Sequence, residues 1–155
     1  MKAEDPFPEP DAAGLVPRSA RVRCATVIGA RLTSALPLYP GVPYDYTAKV
    51  GELVFAAGAC PLDEDGQVVA PGDLEAQSAK SADNLLEALA EAGAGVDDLL
   101  KTTIYVVGQE RADLVRAWDV ISACLGRAPS TLLGVSFLGY PDQLVEIEAV
   151  AAVRR

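Results

Sequence analysis

The chain has 155 residues, half of them apolar, and carries 13 Lys+Arg against 22 Asp+Glu with no histidine. That length suits one domain, no apolar run approaches the ~18 residues that span a bilayer, and without histidine a general base must come from Asp, Glu, Lys, Tyr or Cys and a zinc site is improbable. The charge is uneven: from Pro37 to Val153 six basic residues stand against 18 acidic ones, a net of −12, which repels nucleic acid over most of the surface.

Residues 1–18 read as a disordered tail, with three prolines and four acids in the first eleven positions. The start has neither the basic residues nor the apolar stretch of a secretory signal. Leu15–Ala20, LVPRSA, is close to a protease-cleavage linker. The folded domain is expected over 19–155. Cys24, Cys60 and Cys124 are widely spaced and odd in number. A disulfide framework is therefore not expected, and a reducing, cytoplasmic setting is.

Arg21–Ile28 alternates weakly and is expected to be a first strand. Pro37, Pro40 and Pro43 break a loop. Tyr46–Val50 and Leu53–Ala57 read as two strands joined at Gly51–Glu52, and Asp63–Gly66 as a polar turn. Asp73 is an N-cap for a helix to about Ala92, with Leu74, Ala82, Leu85, Leu86 and Leu89 on one face and Gly93 as its stop. Lys101–Val107 has the β-branched content of a strand. A second helix spans about Arg111 to Leu125, striped by Leu114, Val115, Trp118, Ile121, Cys124 and Leu125. Two strands close the chain, about Thr131–Phe137 and Leu144–Val153, around a loop with Gly139 and Pro141.

The order is β-β-β-α-β-α-β-β, a mixed α/β (α+β) domain. Two helices cannot cover both faces of such a sheet, so they are expected on one face. The other face would then be buried against copies of the same chain.

Few residues stand out chemically. Glu146 and Glu148 lie two apart in LVEIEAVAAV, on one face of an otherwise apolar strand. They are either charges that protect a sheet edge or acids aimed into a polar cleft. Tyr44, after Pro43, is either a packing tyrosine or a pocket hydroxyl. Trp118 sits on the apolar stripe, where core or interface packing is the default. Cys60 has no cation or helix start near it in sequence and reads as a small apolar filler.

Three segments in order, PYDYTAKVGELVFAAGACPLDEDG, GDLEAQSAKSADNLLEALAEAGAGVDDLLKTTIYV and LVEIEAVAAV, resemble the RidA/YjgF family from Pro43 to Val153. The resemblance implies a chorismate-mutase-like fold, a homotrimer with small-molecule clefts between subunits, and hydrolysis of reactive enamines and imines without metal or cofactor. It implies Glu146 as the carboxylate that positions water and Tyr44 as the loop tyrosine. Ala57 takes the place of a serine before the cleft glycine, Gly58. An arginine that grips the substrate carboxylate falls on Ser130, beside Thr131, an asparagine on Trp118, and a cysteine on Leu132. The loop from Leu125 to Ser130 is shorter than in many active members. Loss of the guanidinium removes charge-assisted bonds of about 1.5–3 kcal/mol each. Arg127, three residues upstream, is the alternative cation. Three readings follow: an imine hydrolase, a trimer that binds a small metabolite without turning it over, and a ribonuclease, against which the net charge argues.

Overall fold

The computed structural model describes residues 38–153, so the strand expected at Arg21–Ile28 and the tail expected at 1–18 lie outside the described residues. Within them, strands β1 (Thr47–Val50) and β2 (Leu53–Ala59) are followed by helix α1 (Leu74–Glu91) and a 3-10 turn at Val96–Asp98. Then come β3 (Leu99–Val107), α2 (Arg111–Leu125), β4 (Ser130–Val135) and β5 (Val145–Ala152). The five strands form one mixed sheet in the order β1-β2-β5-β3-β4. Only the β3–β4 pair is parallel, joined by α2, because parallel neighbours need a crossover.

Local chemistry sets these limits. The Asp73 Oδ1 accepts the Ala76 N–H at 2.9 Å and starts α1. At its end Gly93 takes φ +83°, its N–H reaches Ala90 O, and the Ala94 N–H reaches Leu89 O. That reciprocal pair needs a left-handed residue at the C′ position, which glycine adopts without strain.

Both helices lie on one face of the sheet, as expected. Leu85 and Leu89 of α1 and Ile121 of α2 are buried with Val54, Ile104, Val106, Val145 and Ile147 in one core. Ala117 and Val120, outside the expected stripe of α2, are buried too. Ile147 is fully buried, and Ile147→Ala should cost about 2–5 kcal/mol through lost transfer energy and the cavity left.

The opposite face is open in the single chain. Phe55 pairs with Val150, and Tyr105 with both Glu146 and Leu133. Val50 is 65% exposed, Phe55 46% and Leu133 43%, values that mark an apolar sheet face with no cover of its own.

Cys124 is disulfide-bonded, against the expectation of unpaired thiols, and Cys60 is the free cysteine of the described residues. No helix of the described residues is long and apolar enough to cross a membrane.

Candidate functional site

The strand β5 lies between β2 and β3, in the middle of the sheet. The edge-protection reading of Glu146 and Glu148 is thereby excluded. Alternation sends Val145, Ile147, Ala149 and Ala151 into the core and both glutamates to the open face. Glu148 accepts the Tyr105 hydroxyl at 3.0 Å, and that bond, with burial behind it, raises the Tyr105 phenol above its ordinary pKa.

Glu146 is held differently. The β2–β5 register slips between Ala56 and Ala59, a bulge that leaves Ala57 and Gly58 outside the regular ladder. A methyl group built on Gly58 would lie 1.8 Å from Glu146 Oε1. The carboxylate thus lies directly over the bare Cα of Gly58, and only glycine leaves it that room. Its other oxygen, Oε2, accepts a hydrogen bond from Gln143 Nε2 at 3.1 Å.

Cys60 borders the same carboxylate. Burial, and then the charge of Glu146 and its hydrogen bond, push the thiol up to about 12, while a bond from Gln143 opposes them. A thiol so held is neutral near pH 7 and is no nucleophile. The reading of Cys60 as inert holds, but it is a polar neighbour of Glu146 rather than mere filler.

Tyr44 closes the group. Burial raises its phenol above the ordinary tyrosine value, with Cys60 and Tyr140 adding to the effect. Its ring meets that of Tyr46 edge-on at 6.1 Å, a favoured aromatic geometry. Tyr44 also lines an open groove of about 330 Å³ with Val42, Asp45, Tyr46 and Glu91.

Of the residues expected to bind substrate, Ala57 and Gly58 belong to this group. Three others do not face it. Trp118 is half-buried against the core on the helix side. Leu132 packs there as well. The Ser130 side chain turns to the helix side, where its Oγ lies 2.6 Å from Thr102 Oγ1 and donates to Ala128 O at 2.8 Å. Alternation along β4 instead puts Thr131 on the open face, where Lys101 Nζ donates to Thr131 Oγ1. Arg127 is exposed in the turn between α2 and β4.

Sequence reading missed Gln143 and Tyr140. They precede β5 in an irregular loop where no periodicity singles them out. The signal available was two hydrogen-bonding side chains within six residues of a glutamate on an apolar strand. Among the described residues no group of His, Cys, Asp and Glu is placed to hold a metal ion.

A five-stranded mixed sheet, two helices on one face and a glutamate over a strand glycine on the other define a class of small α/β proteins with an open-face carboxylate site. The chain belongs to the RidA/YjgF family: the family model described as endoribonuclease L-PSP matches residues 35–153. A RutC family protein of Pyrococcus abyssi is 32% identical over 110 residues, covering 70% of this chain and 85% of that protein. The 3-aminoacrylate deaminase RutC of Acinetobacter baylyi is 30% identical over 115 residues, covering 74% of this chain and 90% of the enzyme. Among solved structures, the YjgF gene product of Escherichia coli superimposes with a TM-score of 0.66 at 26% identity, covering 78% of this chain and 96% of that one.

Proposed function

We propose that this chain hydrolyses small imines or enamines, with Glu146 orienting and deprotonating the attacking water and Tyr44 positioning the substrate. The observation that carries this reading is the half-buried Glu146 carboxylate lodged over bare Gly58 and held by the Gln143 carboxamide. A carboxylate fixed in that way is a general base that needs no imidazole. Water adds to the imine carbon as its proton passes to Glu146. Glu146 returns that proton to nitrogen. The carbinolamine then loses its O–H proton to nitrogen as the C–N bond breaks, and ammonia and a carbonyl compound leave. Water enters, ammonia departs, and nothing is oxidised or reduced. A relative named for deaminating 3-aminoacrylate supports this class of reaction.

The open apolar face around Phe55 and Leu133 supports a homotrimer that buries it and forms clefts between copies. The resemblance sets the guanidinium at Ser130, where this chain has none, and Lys101, which donates to Thr131 on the open face, is the cation nearest in β3. A lone ammonium is a point charge and lacks the planar bidentate fork of arginine, so a carboxylate would be gripped less firmly.

That same substitution favours the second reading, a metabolite-binding trimer without turnover. A 2-imino acid made in place by an L-amino-acid oxidase, with semicarbazide trapping what remains, separates the two. Hydrolase activity diverts imine from the trap. A binding protein leaves trapping unchanged while small acids or aromatic metabolites raise its melting temperature. The net of −12 over Pro37–Val153 opposes polyanion binding, so RNA cleavage should fade with further purification.

A further inference from the structure

We infer that Gln143 is a positioning residue that fixes Glu146 against the loop leading into β5, an inference that rests on the catalytic reading of that carboxylate. Gln143 is buried, 4% exposed, in the loop that leads into β5. Its Nε2 donates to the Val145 carbonyl and to Glu146 Oε2, both at 3.1 Å, and its Oε1 accepts the Tyr140 N–H at 3.1 Å. The Gln143 N–H returns to the Tyr140 carbonyl at 3.3 Å. One carboxamide thus joins the carboxylate on the strand to the loop backbone at Tyr140.

Holding the loop does not by itself require Gln143. Gln77, fully buried on α1, already does that: its Nε2 donates to Asp142 O at 2.9 Å, and its Oε1 accepts the Leu144 N–H at 2.8 Å. The bond that Gln143 adds goes to a side-chain carboxylate. A buried carboxamide with both N–H groups and its oxygen engaged has one geometry available, so it fixes which oxygen of Glu146 is occupied. Oε2 is taken by Gln143, and Oε1 is left as the atom for water. The neighbouring Cys60, a neutral thiol, adds a weak polar contact without a competing charge.

Three variants test this. Gln143→Leu removes every side-chain bond. Gln143→Glu keeps an acceptor for the Tyr140 N–H but sets a second carboxylate against Glu146. Gln77→Leu loosens the loop alone. With the 2-imino acid made from L-leucine, Gln143→Leu and Gln143→Glu should each lower kcat by about tenfold or more with KM within about twofold, whereas Gln77→Leu should lower the melting temperature and leave kcat near wild type at 25 °C. A second readout needs no turnover. The side-chain amide resonances of Gln143, assigned by their loss in Gln143→Leu, should move when Glu146 is changed to Gln. Unchanged kcat in a folded Gln143→Leu protein, or amide resonances indifferent to Glu146→Gln, overturns the inference. If the resonances respond but wild type hydrolyses no imine, Gln143 still positions Glu146 and the hydrolase reading falls.

Discussion

Replacing Gly58 by alanine tests the site with the smallest possible change. The new Cβ would lie 1.8 Å from Glu146 Oε1, 2.6 Å from Cδ and 2.8 Å from Cγ. Van der Waals contact between carbon and oxygen needs about 3.3 Å or more, so the carboxylate must retreat by roughly 1.5 Å. A misplacement of about 1 Å at a reacting group costs on the order of 100-fold in rate, or about 2.7 kcal/mol. Gly58 is not among the glycines of the described residues with positive φ, so alanine imposes no backbone strain and even lowers the entropy of the unfolded chain. The expected result is a protein whose denaturation midpoint lies within about 1 kcal/mol of wild type, with imine hydrolysis reduced about 100-fold. Measuring both on the same preparation separates the effects. Full activity with alanine in place would show that the carboxylate over Gly58 is not the working base. Loss of folding would show that Glu146 has nowhere to go.

Three further outcomes follow from the same geometry. Because burial and the Glu146 charge raise the Cys60 thiol to about 12, iodoacetamide should label it slowly at pH 8, and Glu146→Gln, which removes that charge, should speed labelling at the same pH. The folded state keeps the Cys60 proton where the unfolded state, with an ordinary thiol near 9, releases it, so this group's contribution is present below pH 9 and is lost as pH rises toward 12, by up to about 1.4 kcal/mol per unit. Gln77→Leu leaves the Leu144 N–H and the Asp142 carbonyl without their partner and should cost about 2–4 kcal/mol in urea unfolding. Phe55→Asp places a charge on the open face, where Phe55 is 46% exposed in the single chain, and should convert a trimer to monomers in sedimentation; an unchanged mass would place the interface elsewhere.

The elements were legible because their local signals agree. The Asp73 cap, the leucine stripe and the Gly93 stop mark one helix, and strand alternation marks β5. The site was legible only in part. Sequence reading brought Glu146, Tyr44 and Gly58 forward, and the structure groups them. The family correspondence named Ser130 and Leu132, whose side chains turn to the helix side in the single chain, while alternation along β4 puts Thr131 on the open face. Trp118 sat on the apolar stripe of α2, which pointed to packing, and it packs against the core. Gln143 was invisible because its partners are Glu146, three residues on in the strand, and the backbone of Tyr140 in the loop. A bond between an irregular loop and a strand leaves no periodic trace.

The most direct test is the initial rate of ammonia release from a freshly formed 2-imino acid, with wild type and Glu146→Gln compared at equal concentration. The account predicts release well above buffer for wild type and a loss of about 100-fold or more in the variant. Equal rates for wild type, variant and buffer would contradict it and leave the chain a binding protein built on the same fold.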